Sequence, residues 1–256
     1  MMTHLSLFSG IGGLDLAAEM AGFETVGQCE WADYPRLILE KHWPGLPRWR
    51  DIRELTKEDF YAKTGMGTVD VISGGFPCQP HSLAGKKLAE KDERHLWPEF
   101  MRVVEELRPR AVVGENVAGI LSTIHGSVCT DLEKAGYKVW TFCIPAYAVG
   151  AHHERYRVAI IGISESLAGR ETDSEKIGGG KTSWLSAGRE HWRNMPGMYW
   201  AVHQPPIFGM VDGVPGGVDG RWRHKEQMKA LGNSVVPPMW VPIFRAIMMA
   251  ETEAEP

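Results

Sequence analysis

Residues 5–31 read LSLFSGIGGLDLAAEMAGFETVGQCEW. A short apolar run, LSLF, meets a glycine cluster. A helical pattern follows from Gly13 to Ala21, and then a second apolar run, ETVGQC. Strand, tight loop, helix, strand is the order of a crossover unit, which joins two parallel strands through a helix. The alternation continues with a helix through Leu37, Ile38 and Leu39, the run VDVIS (69–73), and a helix around Phe100 to Leu107. AVVGEN (111–116), a helix around Val128 to Ala135, VWTFCIP (139–145) and RVAIIG (157–162) complete it. This alternation over the first 163 residues predicts an open, mostly parallel α/β sheet. Residues 164–192 break it with polar, glycine-rich sequence, and a Pro/Gly-rich passage follows at 204–220. The late run MWVPIFRAIMM (239–249) predicts a C-terminal helix with a proline-perturbed start that returns to the main core. The expected organisation is therefore a main domain of residues 1–163 and 229–256, with a small, mostly irregular region at 164–228 between its parts.

A chain of 256 residues that is 43% hydrophobic and 23% charged has the composition of an ordinary globule with a sizeable core. The opening MMTHLSLFSG has no basic region followed by an apolar stretch, and no apolar run reaches the ~20 residues that span a bilayer. A cytoplasmic protein without membrane contact is expected. The net charge of -4 does not by itself advertise a polyanionic partner, although basic residues cluster at 152–157, 189–193 and 221–225. The four cysteines lie far apart with no C-x-x-C pair, which fits neither a disulfide framework nor a metal site. Cys29, Cys129 and Cys143 fall in apolar helix or strand patterns and read as small buried hydrophobes. Cys78 differs, because GGFPCQPHS (74–82) places it past the end of a buried strand on a proline-stiffened loop, which presents a side chain.

The loop Phe8-Ser9-Gly10-Ile11-Gly12-Gly13 lets a ligand approach the backbone at a helix start. Its spacing matches neither a dinucleotide fingerprint nor a phosphate loop with Lys-Ser/Thr. Glu30, at the end of the second strand, can hold a ribose diol, and Trp31 can stack on an adenine. Asp51-Ile52, a third strand-end candidate, can accept the adenine amino group. Together these describe a pocket for an adenosyl group without phosphates, for which S-adenosylmethionine is the obvious candidate.

Cytosine C5 is a poor nucleophile until a thiolate adds at C6, and Cys78 is the candidate thiolate. A carboxylic acid at N3 relieves the charge of addition, and Glu115 in AVVGENV is the candidate acid, with Asn116 and Val117 shaping the turn. Arg155 and Arg157, at the start of RVAIIG with alternating spacing, are expected on one face, where they can bind the cytosine O2 and hold Glu115 or a phosphate.

FSGIGG, EW, DI, PCQP, ENV, R-Y-R and LGNSVVPP (231–238) resemble, in order, the motif series of the DNA cytosine-5 methyltransferases of bacteria and phages, over residues 5–163 and 229–249. The resemblance implies a Rossmann-like, S-adenosylmethionine-dependent sheet, a flipped cytosine in duplex DNA, and a covalent adduct between Cys78 and C6. It implies cofactor contacts from Phe8, Gly10, Ile11, Gly12, Glu30, Trp31, Asp51, Ile52, Pro77, Asn233 and Ser234, and a mobile loop over Ser82 to Lys87. Gln79, Ser82 and Lys86 behind the cysteine are its expected DNA contacts, with Arg189 and Arg193 from the short target-recognition region. A monomer is expected, with a cognate restriction endonuclease as its genetic partner. His153 stands where the family usually has a glutamine, and the recognition region is short. The alternatives are an RNA cytosine-5 methyltransferase and a DNA-binding regulator that has lost turnover.

Overall fold

A computed structural model describes residues 1–77, 96–165, 226 and 229–252. The elements run β1 (Thr3–Leu7), α1 (Gly13–Ala21), β2 (Glu24–Cys29), α2 (Asp33–His42), β3 (Arg48–Trp49), a 3-10 turn (Ile52–Glu54), α3 (Lys57–Thr64) and β4 (Val71–Gly74). Then come α4 (Trp97–Leu107), β5 (Ala111–Val117), α5 (His125–Lys134), β6 (Tyr137–Ile144), β7 (Arg157–Ser164), a 3-10 turn (Pro237–Met239) and α6 (Val241–Thr252). Among the described residues, no helix is long and apolar enough to cross a membrane.

Seven strands form one sheet in the order β3-β2-β1-β4-β5-β7-β6. The first five are parallel, while β7 runs antiparallel to both of its neighbours. The expected sheet is observed, with that one reversed strand. Side-chain alternation assigns the two faces. Ile72, Val112 and Ile160 point into a core with Phe60, Phe100, Leu107 and Leu132 of α3, α4 and α5. Their neighbours Val71, Val113 and Ile161 point the other way, against Leu14, Ala17 and Ala18 of α1 and Phe244 and Ile247 of α6. Burying each of these larger side chains contributes about 1.5–3 kcal/mol. The C-terminal helix therefore returns to the main core as its apolar run requires, and Pro242 sits in its first turn, where a missing N–H costs nothing.

Two elements carry little sequence signature, and of β3 only its end near Asp51 is expected. β3 is two residues long, too short for periodicity, and α3 buries only Phe60. Thr56 marks the start of α3 by accepting a bond from the Asp59 amide at 3.2 Å. Cys29 is buried as expected, but Cys129 is only partly covered and Cys143 is exposed. The reason is position: Cys143 lies on β6, the outer strand of the sheet, whose face residues Trp140 and Phe142 are exposed as well.

The strand order changes direction between β1 and β4, and the carboxyl ends on either side of such a point form a crevice that takes ligands. Cys29, Leu7, Gly74 and Gly114 are paired in one row across β2, β1, β4 and β5. One residue beyond that row stand Glu30, Phe8, Gly75 and Glu115. Three strand spacings separate Glu30 from Glu115, on the order of 14 Å.

Candidate active site

At the β1 end, Phe8 takes a left-handed conformation with φ 52°, uncommon for an aromatic residue and a local strain of the kind found at functional sites. Gly10 follows with φ 55°, and a Cβ there would meet nothing within 4 Å, so the backbone faces open space. The Gly10 N–H donates to Glu30 Oε2 at 2.8 Å and the Ala32 N–H donates to Oε1 at 2.8 Å. Ser9 donates its amide to the Cys29 carbonyl at 3.0 Å, and the Gly12 amide closes the turn on the Ser9 carbonyl at 2.9 Å. Glu30 is thus the clasp of the loop, and each of its oxygens still has capacity to accept a further hydrogen bond.

Trp31 is 61% exposed, with the Arg50 guanidinium 5.8 Å from its ring centroid. Asp51 caps the turn at Ile52 and is clamped by Arg53, whose Nη2 lies 2.6 Å from Asp51 Oδ2. That arginine bond is the first cause holding the Asp51 carboxyl below the usual range. Arg53 therefore competes for the group expected to meet an adenine, and Ile52 is buried.

At the β4 and β5 ends the chain approaches itself closely. A Cβ on Gly75 would lie 2.6 Å from Glu115 Oε2, so a larger residue there would have to push that carboxyl away from its place. Phe76 is buried against Trp97 and Phe100, with ring centroids 4.8 and 5.8 Å away. Asn116 Nδ2 donates to the Phe76 carbonyl at 2.9 Å, and Asn116 Oδ1 accepts from the Val117 amide at 3.0 Å. Asn116 therefore ties β5 to the loop that runs through Pro77 to Cys78, a longer reach than shaping its own turn.

Glu115 is 8% exposed, and its Oε1 lies 2.9 Å from Arg157 Nε. Burial pushes its pKa up to about 7, opposed by the charges of Arg157 and Arg155. A carboxyl in that range is present in both forms near neutrality, the condition for exchanging a proton with a substrate.

The two arginines do not share one face. Arg157 opens β7 and holds Glu115, whereas Arg155 precedes the strand with φ 29°. Alternation fails because the backbone is not extended there. Arg155 Nη2 donates to the Gly232 carbonyl at 2.7 Å and to the Ser234 carbonyl, so it fastens the late LGNS segment. Asn233 is exposed, Ser234 Oγ bonds the Leu231 carbonyl at 3.0 Å, and Val235 packs directly on Gly13. Phe8, Gly10, Ile11, Gly12, Glu30, Asn233 and Ser234 are thereby gathered at one side of the crevice, and Pro77, Glu115 and Arg157 at the other. Cys78, Gln79, Ser82, Lys86, Arg189 and Arg193 lie outside the described residues.

This strand order, with a glycine loop after β1 and an acid after β2, defines the Rossmann-like sheet of the S-adenosylmethionine-dependent methyltransferases. The chain belongs to the C-5 cytosine-specific DNA methylase family, whose profile matches residues 2–183. It is 35% identical over 171 residues to the type II methyltransferase M.FnuDI of Fusobacterium nucleatum, covering 65% of this chain and 48% of that protein. It is also 35% identical over 175 residues to M.NgoPII of Neisseria gonorrhoeae, covering 65% and 49%. The S. pombe Dnmt2 methyltransferase shares the fold, with a TM-score of 0.62 at 16% identity and full coverage of both chains. The chain spans about half the length of the curated relatives it matches.

Proposed function

We propose that this chain transfers a methyl group from S-adenosylmethionine to C5 of a flipped-out cytosine in duplex DNA. One observation carries the reading above the others: a buried, arginine-held Glu115 lies against Gly75, on the loop that leads within three residues to Cys78. Few reactions need a proton-sharing carboxyl at one strand end and a cysteine a few residues past the neighbouring one, and addition to a pyrimidine ring is one.

The residues fit the cofactor, because the backbone at Gly10 faces open space beside the Glu30 carboxylate and the loop 8–13 carries no lysine or arginine to neutralise phosphates. When bound, S-adenosylmethionine supplies an electrophilic methyl group on a sulfonium. The 8–12 loop and Glu30 would hold its ribose and amino acid parts, and the exposed Trp31 would cover the adenine. Glu30→Ala is expected to weaken its binding by about 1.5–3 kcal/mol, the worth of hydrogen bonds to a charged group, through loss of both the diol contact and the loop clasp. Calorimetry showing unchanged affinity would move the cofactor elsewhere.

The target atom is inaccessible in a stacked duplex, so the base must leave the helix. The Cys78 thiolate adds to C6, and Glu115 gives a proton to N3, which places electron density on C5. C5 takes the methyl group from the sulfonium, which leaves as the neutral thioether, and then gives up its own proton to water. The C6–S bond breaks with its electron pair returning to sulfur, and Glu115 recovers the N3 proton. Arg157 orients the carboxyl and keeps its pKa from climbing further. Arg155 acts through the 232–234 segment it holds rather than on the base.

Residues 164–228 are the target-recognition region in this reading, since Glu115, the glycine loop and Cys78 all lie outside them. Exchanging that segment for the corresponding one of another cytosine-5 methyltransferase should change the methylated site, read by bisulfite sequencing, and leave S-adenosylmethionine affinity unchanged. The same site after exchange would place recognition elsewhere. The function itself is tested by tritiated methyl transfer to duplex DNA and to tRNA in parallel. Label on DNA C5 is expected; label confined to tRNA, or none with either, would overturn it.

A further inference from the structure

Beneath the glycine loop lies a buried polar chain that the reaction sequence does not use. Asp15, on the first turn of α1, is fully buried, as are Ser6 and Gln28. Asp15 Oδ2 accepts from Ser6 Oγ at 2.8 Å, and Oδ1 accepts from Gln28 Nε2 at 2.7 Å. Ser6 stands two residues before Phe8 on β1, and Gln28 two residues before Glu30 on β2. One carboxylate therefore grips both strands just below the points where the loop and its clasp emerge. The chain continues outward, with Gln28 Oε1 accepting from Arg48 Nε and Nη2 at 2.9 and 2.8 Å. Arg48 in turn bonds the Trp43 carbonyl at 3.0 Å and pairs with Glu40. The Trp43 ring closes the circuit by lying against Gly12, and its indole N–H donates to Glu19.

A buried carboxylate is costly unless its environment pays it back, and an apolar residue at this position would pack at least as well. Retaining the charge calls for a use, and the two strand ends it grips carry the cofactor loop. We propose that Asp15 is a positioning residue for cofactor binding: its ionised carboxylate sets the spacing of the β1 and β2 ends so that Gly10 and Glu30 meet.

The groups facing it are few. Burial raises its pKa to about 6, with the Gln28 and Ser6 bonds opposing the rise and the Glu19 charge on α1 adding to it. His4, on the same face of β1, is uncharged because burial lowers its pKa to about 3. Arg48 reaches it from β3 only through the Gln28 amide, and Glu40 of α2 only through Arg48. Protonation of Asp15 turns one acceptor into a donor and forces the Ser6 hydroxyl to reverse. The Ser6 and Gln28 bonds then become neutral ones, weaker than the charge-assisted pair that spaces the two strand ends.

The variant that tests this is Asp15→Asn, which keeps the volume and can still accept from Gln28 while donating to Ser6. Wild-type affinity for S-adenosylmethionine, titrated by calorimetry, should tighten about tenfold as pH rises through about 6 and then level off. The variant should bind about tenfold more weakly at pH 7.5 and show no such step. Without cofactor, the amides of Gly10 and Gly12 should exchange hydrogen about tenfold faster in the variant. A group whose folded pKa is raised favours the folded state below its unfolded value and loses that contribution as pH rises through the folded one. Asp15→Asn should therefore melt no lower than wild type at pH 7.5. Unchanged affinity and exchange would overturn the inference, as would weakened binding accompanied by a lower melting temperature, which marks a structural role. The binding readout rests on the cofactor assigned above. If the wild type bound no S-adenosylmethionine, that assignment would fail, while the exchange rates would still decide the role of Asp15.

Discussion

Cys78→Ala is expected to lower methyl transfer by about four orders of magnitude or more, as loss of a nucleophile that acts as one unit with its partners does. DNA carrying 5-fluorocytosine should trap the wild type covalently, because fluorine cannot leave C5 as a proton does and the C6–S bond then persists. The alanine variant should show no trapped complex on a denaturing gel. The fold around the site gives no reason for the variant to collapse. The loop is anchored before the cysteine by Phe76 in its aromatic cluster and by the Asn116 bond to the Phe76 carbonyl. Equal melting temperatures with lost activity would therefore locate the effect in chemistry. An alanine variant that still methylates would end the covalent route and leave Glu115 and the cofactor loop to explain the reaction alone.

The parts of this fold that were legible are those whose physics repeats along the chain. β2 and α1 lie where the apolar period changes from two to 3.6 residues and back, and Gly22 ends α1 in a left-handed cap bonded to the Ala18 and Glu19 carbonyls. Of β3 only the end, near Asp51-Ile52, is legible in the sequence, because two residues carry no period. The position of Glu115 followed from its place at a strand end, whereas its hold on Gly75 is a contact between strands that no local pattern encodes. Arg155 and Arg157 were misread as a matched pair because alternation presumes an extended backbone, and the left-handed turn at Arg155 sends its side chain to the 232–234 carbonyls instead. Asp15 did leave a trace, an acid in the apolar run Leu14 to Ala18. Only the structure shows that its partners come from β1 and β2.

Glu115→Gln is expected to slow methyl transfer by about 10²–10⁴-fold, the usual worth of a positioned general acid. The pH dependence makes the test specific. Activity should fall as Glu115 loses its proton near pH 7, where burial has pushed its pKa. In the glutamine variant that alkaline fall should disappear. Arg157→Ala removes the nearest guanidinium, which holds the carboxyl at 2.9 Å and opposes the effect of burial, so the alkaline limb should move to higher pH. Stability should follow the same group. A raised carboxyl favours the folded state most below about 4.5 and loses that contribution as pH rises through about 7. Melting temperatures at pH 5 and pH 9 should thus differ less in Glu115→Gln than in wild type. They should differ more in Arg157→Ala, where the ionised Glu115 is left buried without its partner. An alkaline limb that stays in place in both variants would assign it to another group and reduce Glu115 to a neutral hydrogen-bonding contact.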